Sequence, residues 1–145
     1  MADLKDHFNR CLFFAAAATT RMLSRMSQEE FQKHDLSSTQ GFILIIVKTA
    51  PGIIVTDLSS VLQLDQTTVT KTLNKMAGIG LLTREPFGKL VRVFLTEKGL
   101  QRELDAQAAW DKLQLRYNLA IGQAIARSLT EGLVHAQDSL EVESR

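Results

Sequence analysis

Between Asp65 and Met76 lie Gln66, Thr67, Thr68, Thr70, Lys71, Asn74 and Lys75, hydrogen-bonding and cationic side chains with no acid among them. Gln66, Thr70 and Asn74 are four apart and share one helix face, with Thr67 and Lys71 beside them. Val69, Leu73 and Met76 recur at helical spacing on another face, which is expected to be buried. Asp65 suits the N-cap of such a helix, and first-turn N–H groups favour anions. Short polar side chains plus lysine, on a helix held by its other side, fit the major groove of DNA. There, amides and hydroxyls meet base edges and cations meet phosphate. The plainer reading of Thr67 and Thr68 is first-turn chemistry, and that of Lys75 a solvated charge.

Other chemistry has less support. The single cysteine, Cys11, precludes an intrachain disulfide, which fits a reducing compartment. It reads either as a redox-sensing thiol or as a small hydrophobe in helix packing; with only Arg10 as a local cation, packing is the better reading. His7 and Cys11 share a helix face, but His34 and His135 complete no compact ligand cluster, so no metal or cofactor is expected. There is no glycine-rich phosphate loop, no G-x-S-x-G elbow and no H-E-x-x-H, and the expectation is that the chain is not an enzyme.

The 145 residues amount to one domain, with 45% hydrophobic and 23% charged residues. Net charge is only +1, so a nucleic-acid surface must come from how charge is distributed. From Asp65 to Arg92 five cations (Lys71, Lys75, Arg84, Lys89, Arg92) face two acids (Asp65, Glu85), a net of +3. From Thr130 to Arg145 four acids face Arg145 alone, a net of −3. No apolar run approaches the ~20 residues of a membrane span, and the start of the chain has no basic region leading into an apolar one. A cytoplasmic protein is the expectation.

The helix needs elements to carry it. Leu4, Phe8, Cys11, Leu12, Ala15, Thr19, Met22 and Met26 predict one long helix from about Leu4 to His34, with more apolar face than a small domain covers. Burial against a second copy of the chain is the expected remedy. Ser37 or Ser38 can cap the next helix, although Gln40 to Thr49 is apolar enough to be a buried strand. Ile53-Ile54-Val55 is a short β-prone run. Thr56 is expected to cap a helix over Asp57–Leu62 that buries Leu58, Val61 and Leu62. Through the turn Gln63-Leu64-Asp65 this gives a helix-turn-helix, ended at Gly78 and Gly80. Leu81–Glu85 and Leu90–Leu95 predict a hairpin about Pro86-Phe87-Gly88, which is a wing. Thr96 caps a helix running to about Tyr117 with Leu100, Leu104, Ala108 and Leu115 on one side. After a break near Ile121-Gly122, a last helix carries Ile125, Leu129, Leu133, Ala136 and Leu140. The fold class is mainly α with a small β-hairpin wing.

In this order the sequence resembles the MarR family of bacterial winged helix-turn-helix regulators. Asp65-Gln66-Thr67-Thr68-Val69-Thr70-Lys71 resembles the family's D-x-S/T-T-V-T-R segment, Gly80-Leu81-Leu82 its G-L-V, and Leu95-Thr96-Glu97-Lys98-Gly99 its L-T-x-x-G. The resemblance implies one MarR-like domain over 1–145. Its winged helix-turn-helix is 36–99, and 1–35 and 100–145 supply dimerisation helices. It implies a homodimeric repressor on a palindromic operator in double-stranded DNA, relieved by a small-molecule effector or by oxidation. Contacts are expected from Gln66, Thr67, Thr68, Thr70, Lys71, Asn74 and Lys75, and from Arg84, Lys89 and Arg92 of the wing. Phe13, Phe14, Met22, Met26 and Trp110 would line an effector pocket if they are not simply core. Cys11 followed by Leu-Phe-Phe-Ala is similar to the family's peroxide sensors, although the tyrosines of that branch are missing. Members usually carry D-x-R at the wing tip, where this chain has Phe87-Gly88-Lys89. That departure motivates an alternative: a winged-helix adaptor or antirepressor acting through protein contact.

Overall fold

Ser37 decides what the most apolar stretch of the chain becomes. Its hydroxyl accepts from the Gln40 backbone N–H at 3.1 Å, and the Gln40 side chain accepts from the Ser37 N–H at 3.0 Å. This reciprocal capping box starts a helix where periodicity alone also allowed a strand. In the computed structural model, which describes residues 1–145, that stretch is α3 (Ser38–Thr49), and it buries Ile43, Leu44 and Val47.

The elements run α1 (Ala2–Phe8), α2 (Leu12–Gln32), α3, β1 (Ile53–Ile54), α4 (Val55–Leu62), α5 (Gln66–Gly78), β2 (Leu82–Phe87), β3 (Leu90–Leu95), α6 (Glu97–Ile121) and α7 (Gln123–Glu143). The chain is mainly helical with one small antiparallel sheet of order β1-β3-β2. It divides into two compact units, Met1–Trp110 and Asp111–Arg145, and α6 contributes to both.

In the first unit, Phe31, Leu36, Ile43, Leu44, Val47, Leu58, Val69, Leu73, Met76, Leu81, Leu82 and Val93 form one core, drawn from α2 through β3. The expected single N-terminal helix is instead two. The chain leaves helical geometry at Asn9–Cys11, and Cys11 has extended backbone angles (φ −88°, ψ 121°) as N-cap of α2. Only Ser27, Glu30 and Phe31 of α2 are buried. Helix α4 starts at Val55 rather than beyond a Thr56 cap. It buries Leu58 and Ser59 and leaves Val61 58% exposed. Ser59 tolerates burial because its hydroxyl donates back to the Val55 carbonyl at 2.9 Å.

On α6 the expected leucine stripe is not the buried one. Leu100 and Leu104 are exposed, while Gly99, Glu103, Ala106 and Ala109 are buried. Small residues let the helix approach the core closely, and the buried Glu103 carboxylate receives Lys48 Nζ from α3 at 2.8 Å. Trp110 packs edge-on to Phe42, their ring centroids 5.4 Å apart.

The second unit is the rest of α6 and α7, parted at Gly122, whose φ of +89° no helix accommodates. Of α7 only Ala126 is buried; Ile125, Leu129, Leu133 and Leu140 are exposed.

Candidate nucleic-acid interface

The turn into α5 is built from backbone and one carboxylate. Gln63 takes the left-handed conformation (φ +55°), so its N–H closes onto Ser60 and that of Leu64 onto Ser59. Asp65 then caps α5: its Oδ1 accepts the Thr68 backbone N–H at 2.7 Å, and its Oδ2 accepts the Thr68 hydroxyl at 3.0 Å. The backbone N–H and the hydroxyl of Thr68 hold the Asp65 carboxyl below the usual carboxylate value of 3.8. The first-turn N–H groups expected to attract an outside anion are thus served partly by the helix's own acid.

Val69, Leu73 and Met76 are buried to 1% exposure or less, and they lock the register of α5 against the core. The complementary face carries Gln66, Thr67, Thr68, Thr70, Lys71, Asn74 and Lys75, every one exposed. The Thr68 hydroxyl is committed to Asp65. Asn74 accepts from Arg84 Nη1, a bond that ties α5 to β2. Among the residues named for DNA contact, Gln66, Thr70, Arg84 and Lys89 come together. With Ile54, Val55, Thr56, Leu73, Leu90 and Val91 they line a cleft of about 240 Å³ between the outer face of α5, the start of α4 and the hairpin.

The wing is held by the two sequence motifs that flank it. Leu82 pairs with Leu95 at its base, and the Thr96 N–H donates to the Leu81 carbonyl at 3.0 Å. Thr96 Oγ1 donates to the Gly80 carbonyl and accepts the Gly99 N–H at 3.0 Å, so it is the cap that the sequence predicted. At Gly99 a Cβ would lie 1.9 Å from the Leu81 carbonyl oxygen. The G-L-L and L-T-E-K-G segments are therefore the two halves of one clasp.

The hairpin extends through Phe87, two residues beyond the expected end of its first strand, and turns in two residues, Gly88 and Lys89. Pro86, expected in the turn, pairs with Val91 inside β2, an edge strand where a missing N–H costs no ladder bond. Positive φ at Gly88 (+61°) and not at Lys89 is the pattern of a type II′ turn. Arg92 lies with its guanidinium carbon 3.7 Å from the centroid of the Phe87 ring.

Elsewhere, Cys11 is exposed, so within the chain it is not a buried packing residue. Phe13, Phe14 and Met22 are exposed at 80%, 38% and 64%, outside the buried core. No three His, Cys, Asp or Glu side chains come together in a way that could hold a metal ion. No helix is long and apolar enough to cross a membrane. The cleft residues from β1, α4 and β3 were not singled out from sequence: Ile54, Val55, Leu90 and Val91 look like strand and core positions until the hairpin folds over α5.

A MarR family model matches residues 36–86, which span α3 to the far half of β2. Over these residues the chain is similar to the MarR family. An HTH-type transcriptional regulator of Bacillus subtilis, YybA, is 32% identical over 82 residues, covering 54% of this chain and 55% of YybA. The chain therefore spans about half the length of this curated relative. Among solved structures, M. tuberculosis transcriptional regulator MosR is 21% identical with a TM-score of 0.78, covering 91% of this chain and 98% of its own. The S. aureus MepR–DNA complex has 15% identity and a TM-score of 0.78, covering 90% and 98%. CouR of Rhodococcus jostii bound to p-coumaroyl-CoA has 17% identity and a TM-score of 0.76, covering 87% and 91%. At these identities the structural matches establish the MarR-type winged-helix fold.

Proposed function

We propose that this chain is a sequence-specific DNA-binding transcriptional regulator, a homodimeric repressor of MarR type. The observation that carries the reading is the outer face of α5. Seven exposed polar or cationic side chains with no acid stand on a helix fixed by three buried ones. Apart from Thr68, bound to the Asp65 cap, and Asn74, bound to Arg84, that face makes no side-chain hydrogen bond within the fold, and it matches the donors and acceptors of the major groove. Gln66, Thr67, Thr70 and Lys71 are placed for base and phosphate contact, with Thr68, Asn74 and Lys75 beside them. Arg84, Lys89 and Arg92 supply phosphate contacts from the wing. Two such helices, one per copy, would enter successive major grooves of a palindromic operator roughly 34 Å apart. MosR and MepR, which share the fold, are both solved with DNA, which supports this mode.

Relief by a small ligand is supported by the cleft, because an occupant touching Gln66, Thr70, Arg84 and Lys89 would compete with DNA for the same groups. CouR is solved with an acyl-CoA. Relief by oxidation rests on the exposed thiol of Cys11 at the junction of α1 and α2.

One experiment tests all three parts: selection of duplexes from a random library, then titration of the winning duplex across salt concentrations. Lys71→Ala with Thr70→Ala should weaken binding and flatten the log–log salt slope by about 0.9 for each phosphate interaction removed. Unchanged affinity and slope would sink the assignment. Release by peroxide that persists in Cys11→Ser removes oxidation; absence of release by any aromatic acid or acyl-CoA removes the ligand.

A second reading is favoured by the wing tip, where Phe87, Leu90 and Val91 are exposed and no acid stands. An apolar tip suits an adaptor or antirepressor that works by protein contact. The same selection decides, since such a protein enriches no discrete duplex.

A further inference from the structure

Arg92 stands on β3 opposite Glu85, yet it makes no ion pair with that acid. Its guanidinium instead lies over the ring of Phe87, 3.7 Å from the centroid. Phe87 pairs with Leu90, two residues closer to the turn. Two residues of strand are about 6–7 Å, so the ring draws the charge of Arg92 that far toward the tip. Stacking occupies one face of the guanidinium and leaves its in-plane N–H donors free. The wing's other cations are less well placed. Arg84 is bound to Asn74, and Lys89, in the two-residue turn, is a point charge with no fixed partner. The Phe87 ring is 52% exposed, so the core does not need it.

We propose that Phe87 is a positioning residue for DNA binding: it holds the Arg92 guanidinium at the wing tip, where its free fork engages a backbone phosphate. An acid at this place would hold an arginine by charge and cancel part of the wing's positive field. A ring holds it by its face and leaves the full charge for DNA. Lys89, the cation nearest the turn, is then secondary to Arg92. This inference rests on the reading of the chain as a DNA-binding protein.

The test uses the whole protein and the duplex that the library selection yields. Phe87→Ala and Arg92→Ala should each weaken binding about fivefold for each copy on the duplex, the size of one exposed cation–π or phosphate interaction. Arg92→Ala should also flatten the salt slope by about 0.9 for each copy of the chain on the duplex. The double variant should bind no worse than Arg92→Ala alone, and Phe87→Trp should retain wild-type affinity. Phe87→Leu keeps an apolar tip without a ring face and should behave as Phe87→Ala, which separates positioning from hairpin stability. A weakening by Phe87→Ala that is the same in the Arg92→Ala background overturns the inference, as does an unchanged slope in Arg92→Ala. If wild type enriches no duplex, the DNA-binding reading and this inference fall together. If Lys71→Ala weakens binding while Phe87 and Arg92 variants do not, this inference alone falls.

Discussion

Asp65 is the residue that closes the first turn of α5, whose register the buried Val69, Leu73 and Met76 fix. Its carboxylate closes the N-terminus onto both the backbone and the hydroxyl of Thr68. The expected consequence of Asp65→Ala is a less stable winged-helix unit and weaker DNA binding, since the first turn frays where Gln66 and Thr67 must be held. The effect has a pH signature. The folded-state pKa of Asp65 lies below its ordinary value of 3.8. Its contribution is therefore complete above that value and is lost as pH falls through the lower, folded-state pKa. The difference in melting temperature between wild type and Asp65→Ala should be constant near neutrality and shrink only in strong acid. A difference that instead grows on acidification would contradict the cap as its source. Arg92 shows how far residue-level legibility went. Its type and place were readable as a wing cation, but its stacking on Phe87 depends on a hairpin two residues longer than the sequence suggested.

At the scale of elements, the decisive contact joins the two short motifs around the wing. Gly99 lies against the Leu81 carbonyl so closely that a methyl group has no room, with a Cβ 1.9 Å from that oxygen. Backbone cannot swing aside as a side chain can. Gly99→Ala should cost about 1–3 kcal/mol or more by overpacking, read as a fall in the denaturant midpoint at unchanged slope. It should also loosen the wing, so amide exchange in β2 and β3 should quicken. Unaltered midpoint and exchange would show that the clasp does not seat the wing. The elements themselves were largely readable: caps at Ser37, Asp65 and Thr96, the buried stripe of α5 and the break at Gly122 are local signals in single residues. Failures came where packing decides. The N-terminal helix breaks at Asn9–Cys11 although the apolar spacing runs straight through it. The buried side of α6 is made of Gly99, Glu103, Ala106 and Ala109 rather than of leucines. Apolar periodicity reports which face is to be buried somewhere, and does not distinguish the core of this chain from the surface of another.

At the scale of the whole molecule, that ambiguity becomes an argument about assembly. Leu4, Phe8, Leu12, Phe13 and Met22 at one end of the sequence, and Leu119, Ile125, Val134, Leu140 and Val142 at the other, are all more than half exposed. Monomers rarely leave so many large apolar side chains in water, and such faces mark interaction surfaces. On the proposed reading of the chain as a regulator of a palindromic operator, a second copy is the partner these faces fit, because two α5 helices would be presented at a fixed separation. Each side chain buried at such an interface would contribute roughly 1.5–3 kcal/mol, so two charges there should outweigh the association. Leu12→Glu with Phe13→Glu is expected to give a folded monomer, seen as a halved mass in sedimentation equilibrium with helical circular dichroism retained. Both positions are exposed in the single chain, at 71% and 80%, so its core should be untouched. DNA binding should fall far more than from any single α5 substitution, because each monomer reaches only one half-site and the linkage between sites is gone. The salt slope should drop to about half that of wild type, as half the phosphate contacts remain. A double variant that stays dimeric would place the interface elsewhere in the chain. One that is monomeric yet binds the full palindrome with wild-type affinity and slope would separate the exposed apolar faces from DNA recognition.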